Sequence, residues 1–402
     1  MTSAVAPAAS RVRVPATVWA LGVVSLFTDI SSEIISTLLP IYLVVGMGVS
    51  TTALGLLEGF SVAVATVVKF AAGFLSDRVS RPKWLAVAGY GLAALSKPIF
   101  PLSAAVEGVA AAKALDRIGK GIRAAPRDAI VVAVTPRPIL GRAFGLRKSL
   151  DTVGGFVGPL LAIGLMILLS DDVRAVFWVA SIPALLSVVV LIFFVKAPPK
   201  PQGKSREPPK LSQAVRLSPG TWIVIAVATL IGGARFSEAF LVLKSVDVGV
   251  PLALAPVAII VLHIVFGLAA YPVGILSDRT GRKGLLALSL VFLAVADIAL
   301  ALSQSKLLFF TGVVMWGLHM GFSQGLLTAL VAEAAPEQLR GTAFGVFSLA
   351  TGLIAVVGNG LAGLLWETQG SAATFWLGAT VSLLCAAVVY VWSRRGSGFN
   401  AD

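Results

Sequence analysis

A chain of 402 residues that is 57% hydrophobic and only 13% charged is too apolar for a soluble globular protein, in which about a quarter of residues carry charge. Its net charge of +13 does not indicate a nucleic-acid partner, because the basic residues are scattered between apolar blocks and form no separate domain. One cysteine, Cys385, excludes an internal disulfide framework, and two histidines, His263 and His319, are too few and too far apart for a metal centre.

Residues 1–15 are polar and end in Arg11, Arg13 and Pro15. The apolar stretch behind them holds Asp29 and Glu33 and shows no clear small-residue cleavage site, so it reads as a retained spanning helix and not a signal peptide. The pattern predicts helices over 16–45, 51–76, 84–103, 105–134, 141–169 and 172–196. The longest polar gap, 197–219, places Lys200, Lys204, Arg206, Lys210 and Arg216 among six prolines and reads as an exposed basic linker. A second series follows over 220–245, 252–277, 284–303, 305–334, 341–364 and 371–393. A spanning helix needs about 20 residues. The expectation is an all-α polytopic membrane protein of twelve spans, divided into 1–196, the linker 197–219, and 220–402.

The loops supply the orientation. One side collects Arg11, Arg13, Arg78, Arg81, Lys83, Arg137, Arg142, the linker, Arg279, Arg282, Lys283, Arg340, Arg394 and Arg395. The other offers little beyond Glu107, Asp171, Asp172, Arg174, Asp247, Lys306 and Glu367. The positive-inside rule then puts both termini and the linker in the cytoplasm.

The two series repeat each other. Gly73-Phe-Leu-Ser-Asp77-Arg78 recurs 201 residues later as Gly274-Ile-Leu-Ser-Asp278-Arg279, and Gly141-Arg-Ala-Phe-Gly145 recurs 200 residues later as Gly341-Thr-Ala-Phe-Gly345. More loosely, Trp19 with Ser32-Glu33 echoes Trp222 with Ser237-Glu238. Parallel repeats place a substrate site between the halves near mid-membrane.

Extended through Arg81 and Lys83, the first of these segments resembles motif A of the major facilitator superfamily; the copy running through Arg282-Lys283 is the better match, since Ser80 and Pro82 depart from the pattern in the first. Arg117-Ile-Gly-Lys120-Gly121-Ile-Arg123 resembles motif B, with Lys120 for glutamine and Arg123 for glycine. Gly154-Gly-Phe-Val-Gly158-Pro159 resembles motif C of the proton-coupled antiporters, although Ala162-Ile163 replaces its final glycine pair. The resemblance implies two pseudo-symmetric six-helix bundles rocking about a central cavity, and favours export over import. It also implies a conformational latch built from Asp77, Arg78, Arg81, Asp278, Arg279 and Arg282, against the plainer reading of these charges as topology signals.

Charges inside the membrane are costly unless they are paired or face water, so each is a functional candidate. At about 100° per residue, Asp116, Lys120, Arg123 and Arg127 share a stripe of the fourth helix, with Arg117 and Asp128 on its flank. Either the stripe is an ion-pair network with Asp29, Glu33 and Asp151, or Arg117, Lys120, Arg123 and Arg127 form a cationic wall that binds an anion; the excess of embedded cations favours the wall. Asp29 and Glu33, four residues apart on one face, are candidates for proton coupling, Glu33 being nearer mid-membrane; the alternative is that both serve as partners of those cations. Arg235 and Glu238 are expected to pair, His263 and His319 to pack, and Asp297 has no obvious local partner. Gly154, Gly158 and Pro159 suit close approach and bending of the fifth helix.

The sequence thus reads as a non-enzymatic secondary transporter of the inner (plasma) membrane, expected as a monomer without a cofactor. Its partners are the lipid bilayer, protons and a small anionic or zwitterionic solute. A multidrug antiporter and an organic-anion importer are the alternatives.

Overall fold

A computed structural model of the chain describes residues 13–78, 82–136, 139–196, 211–280, 282–336 and 339–395. Regular structure among them is helical throughout. The first series comprises α1 (Ala16–Ile41, continued by a π-helical turn over Tyr42–Gly46), α2 (Thr51–Arg78), α3 (Pro82–Leu102), α4 (Val106–Val134), α5 (Leu140–Leu168) and α6 (Val173–Phe194). After a short 3-10 turn at Leu211–Arg216 come α7 (Pro219–Gly233), α8 (Ala239–Asp247), α9 (Val257–Thr280), α10 (Arg282–Ala301), α11 (Lys306–Ala334), α12 (Arg340–Gln369) and α13 (Ser371–Arg395).

Ten of these helices are long and apolar enough to cross a membrane. The others are α4, which is long but crowded with charge, and the short pair α7 and α8. Local chemistry fixes several ends. Asp172, Ser218 and Ser305 each accept a backbone N–H of the first turn of α6, α7 and α11, at 3.0, 3.2 and 3.3 Å, satisfying donors that the helix leaves orphaned. Gly370, at φ +90°, makes the turn from α12 into α13.

Two expectations need correction. The helix predicted over 220–245 is interrupted: α7 stops at Gly233 and α8 starts at Ala239. The freed backbone is met by side chains, with Ser237 N–H donating to Asn359 Oδ1 at 2.6 Å and Ala239 N–H to Ser237 Oγ at 3.2 Å. A broken helix within the membrane is tolerated where neighbours re-satisfy its polar groups in this way. The second correction concerns Asp77, expected just beyond its helix; α2 runs on through Arg78, as α9 runs on to Thr280.

Packing gathers the helices into two groups. In the first, α1 lies on α5 and α6, α3 on α4 and α6, and α2 on α4; in the second, α10 lies on α11 and α13, α9 on α11, and α12 on α7 and α13. Between the groups α2 meets α12, α1 meets α8, and α5 meets α9. The α2–α12 seam is made of small residues: Gly55 and Gly59 lie directly on the backbone of Asn359 and Ala355–Val356, and Gly363 lies on Thr51. Thr51 Oγ1 donates to Gly363 O at 2.9 Å. Such seams let backbones approach and hold by dispersion where no hydrophobic drive exists. Close by, Ile34, Leu38 and Leu43 of the first group share a core with Ala239, Val242, Leu243 and Ile259 of the second.

Candidate functional site

Between the groups lies a cavity of about 610 Å³. From the first group it receives Glu33 and Ser36 of α1, Glu58 of α2, Lys113, Arg117 and Lys120 of α4, and Lys148 of α5. From the second it receives Arg235, Phe236 and Glu238 around the break before α8, His263 of α9, Gln324 of α11 and Asn359 of α12.

Helix α4 divides its charges between four surroundings. Lys113, Arg117 and Lys120, spaced i, i+4, i+7, face the cavity. Asp116 turns away to Lys97 of α3, at 2.8 Å with both side chains buried, and Lys97 also donates to Ser32 Oγ at 3.1 Å. Arg123, 4% exposed, sets its guanidinium 4.6 Å from the Tyr90 ring centroid. Arg127 pairs with Asp128 at 3.1 Å. Of the four cations singled out in the sequence, the structure therefore brings Arg117 and Lys120 to the cavity wall and leaves Arg123 and Arg127 off it. Lys113 went unnoticed in the sequence. Its spacing to Arg117 and Lys120 is the signal that finds it.

The cavity cations differ in how well they are neutralised. Lys113 makes a close ion pair with Glu58, and Lys148 lies 3.1 Å from Asp151. Arg117 comes no nearer than 3.9 Å to Asp116, which Lys97 already occupies, and its buried Nε has no hydrogen-bond partner. Among the described residues, Lys120 and Arg235 make no ion pair. The expected Arg235–Glu238 pairing does not form; Glu238 instead faces His263 Nε2 at 3.8 Å. That follows from the broken helix, since the i, i+3 spacing brings two side chains together only on a continuous turn.

Glu33 lines the cavity and accepts from Ser36 Oγ at 3.1 Å. Asp29, one turn away, does not line it but lies against Asp151 of α5. The glycines of α5 bring this about. A Cβ on Gly154 would stand 2.7 Å from Leu26 O, and one on Gly158 2.6 Å from the Cβ of Glu33, so only glycine lets α5 lie on α1 beside the two carboxylates. Pro159 is buried in the same helix.

The motif A residues are placed less fully. Asp77 and Arg78 fall in the last turn of α2 and Asp278 in that of α9, but their side chains, like the whole of Arg81, lie outside the described residues. Arg279 is exposed at the end of α9, and Arg282 makes a close ion pair with Glu333 at the end of α11. His319 packs in the second group with Nδ1 2.9 Å from Ser289 O. Asp297 is fully buried with neither oxygen hydrogen-bonded. Among the described residues no three His, Cys, Asp or Glu side chains cluster to hold a metal ion.

Comparison with known proteins matches this architecture. A family model described as Major Facilitator Superfamily fits residues 21–268 and 246–398. An uncharacterized MFS-type transporter of Methanocaldococcus jannaschii is 28% identical over 379 residues, spanning 91% of this chain and 92% of its own. Among solved structures, the nucleoside transporter NupG superposes with a TM-score of 0.79 at 15% identity, over 94% of this chain and 99% of its own. A bacterial homolog of the human lysosomal transporter Spinster, inward-facing and occupied, gives 0.78 at 18% identity, over 94% and 96%. At these identities the two structures bear on the fold alone.

Proposed function

The chain belongs to the Major Facilitator Superfamily and is a multi-pass membrane transporter, and from that premise we propose that it exports a small organic anion or zwitterion in exchange for protons. In this reading α4 and the interrupted α7–α8 complete a set of twelve spans. Residues 1–196 and 220–402 form two bundles joined by the cytoplasmic linker 197–219, with both termini on the same side of the inner membrane. The bundles rock about the cavity, opening it to each side in turn. The α2–α12 seam is the contact that must part for the cavity to open to the outside, and small residues gripping by dispersion release without stranding a buried charge.

The observation that carries the substrate class is the set of cavity cations with no close carboxylate among the described residues, Arg117, Lys120 and Arg235. In this reading Glu33, on the same wall, exchanges a proton with the cavity, and the contacting carboxyls of Asp29 and Asp151 supply a second protonatable site beside it. Arg282–Glu333, binding the ends of α10 and α11, acts as the latch of the second bundle.

The test is flux from liposomes holding the purified chain, with an imposed proton gradient and a panel of anions, zwitterions and lipophilic cations. An anion moving against its gradient, abolished by an uncoupler and in Glu33→Gln, is the expected result. Uncoupler-insensitive flux defeats the coupling, and flux of lipophilic cations alone defeats the substrate class.

A further inference from the structure

Each bundle offers one arginine to the cavity whose guanidinium no carboxylate among the described residues holds closer than 3.9 Å: Arg117 from α4, and Arg235 from the break between α7 and α8. The nearby charges do not change this. Lys113 and Lys148 have Glu58 and Asp151 as partners, and Glu238 has turned to His263. Lys120 and Glu33 lie on the same wall and oppose each other in sign. Among the described residues lining this space of about 610 Å³, the guanidinium forks left without a close carboxylate are these two, one from each bundle. Guanidinium forks bind carboxylate and phosphate through two parallel hydrogen bonds, which a lysine cannot reproduce.

Resting on the anion reading above, we infer that the substrate is a small organic dianion that places one anionic group on Arg117 and the other on Arg235. Such a ligand does more than fill the cavity. Two arginines lining one cavity from opposite bundles repel when nothing lies between them, which opposes closure of the empty cavity. A dianion cancels both charges and ties the bundles together, so it binds the closing state more tightly than the open one. That difference in affinity is what a ligand needs to shift a conformational equilibrium. A monoanion satisfies one bundle only and leaves the other arginine exposed. The position of Arg235 strengthens the argument: it sits on interrupted backbone held by Asn359, the part of the second bundle that meets Glu58 and α2 across the seam.

The experiment is a thermal-shift titration of the purified full-length chain with butyrate, succinate, glutarate and inorganic phosphate, at ionic strength matched by chloride. A dicarboxylate is expected to reach half-maximal stabilisation at a concentration at least tenfold lower than butyrate. In Arg117→Ala or Arg235→Ala that advantage should vanish while butyrate still registers in the Arg235 variant; Arg117→Lys and Arg235→Lys, which keep the charge but lose the fork, serve where the alanine variants do not fold and should lose most of it. Equal potency of butyrate and the dicarboxylates, or an undiminished advantage in the Arg235 variants, overturns the two-point site while leaving anion transport standing. Stabilisation by phosphate alone moves both arginines onto a single group and also overturns it. If no anion registers but lipophilic cations do, the anion reading itself falls, and this inference with it.

Discussion

Helices α4 and α11 hold equivalent places in the duplicated chain, 29 residues each and 200 residues apart, yet they handle charge in opposite ways. Where α4 has Lys113, Asp116, Arg117, Lys120, Arg123, Arg127 and Asp128, α11 has Val313, Trp316, Gly317, Met320, Ser323, Leu327 and Thr328. The contrast extends to the neighbouring helices, where Lys97 of α3 answers to Asp297 of α10. In the first group Lys97 and Asp116 form a buried ion pair; in the second, Asp297 and the Trp316 Nε1–H are both buried without a hydrogen bond. The second group keeps ion pairs nearer its helix ends, as with Arg282–Glu333 and Lys244–Asp247. One backbone plan therefore supports a helix cross-linked by ion pairs in the first group and, at the equivalent positions of the second, a helix without charge. The membrane fold asks only that charges be paired or wet, and leaves their placement to function.

Removing one half of a buried pair is the strongest test of that contrast. Lys97→Ala or Asp116→Ala leaves its partner charged in a dry site, and such losses cost about 3–5 kcal/mol. The expected result is a large drop in the thermal midpoint of the purified chain, with most of it regained in the Lys97→Met, Asp116→Leu double variant. A small effect of the single substitutions means water reaches the pair and the two groups differ less than their sequences do.

At the equivalent position of the second group the sign should reverse. Asp297→Leu keeps the branching of the side chain and removes a buried carboxyl that satisfies neither oxygen, a penalty of about 1–3 kcal/mol in protein interiors. Because a Cβ at Gly378 would lie 2.5 Å from Asp297 Oδ2, the site is tight, and the bulkier methyls of leucine take back part of this gain. The midpoint should rise, and Trp316 fluorescence should report whether the indole environment is kept. A fall would mean that Asp297 is satisfied in a second conformation of the transporter, which would make this carboxyl a functional group and not a burden.

The contrast also explains what was readable in advance. Apolar blocks of spanning length and the repeat at 200–201 residues are properties of the chain alone, so the helices and their pairing into two series needed no tertiary information. The break at 234–238 did need it. Gly232-Gly233 is a weak local signal, and what stabilises the interruption is Asn359, 122 residues from Ser237. The helix-4 site was half legible for a related reason. Periodicity puts charges on stripes, but which stripe faces the cavity depends on where Lys97 and Tyr90 of α3 stand to draw Asp116 and Arg123 away. Arg235 and Glu238 were misjudged because their spacing was read on a helix that is not continuous there.

The smallest effect tests the claim that ion pairs in the second group are peripheral. At the end of α8, Asp247 accepts from Lys244 Nζ at 2.8 Å and from Ser371 Oγ at 2.7 Å. Partial burial pushes its carboxyl up, but the hydrogen bonds from Lys244 and Ser371 and the Lys244 charge outweigh it and hold the group below its ordinary value. A carboxyl lowered in the folded chain stabilises it above the unfolded value of about 4, and that contribution is lost as pH falls from there through the folded value. The thermal midpoint should therefore decline slightly faster in the wild type than in Asp247→Asn as pH drops through this window, and the two curves should run parallel at neutral pH. With the Asp247 side chain 47% exposed the difference should be close to the limit of detection. A difference approaching that of the Lys97–Asp116 variants would place this pair in a dry environment, and the division between a first group cross-linked in the membrane and a second clipped at its ends would no longer hold.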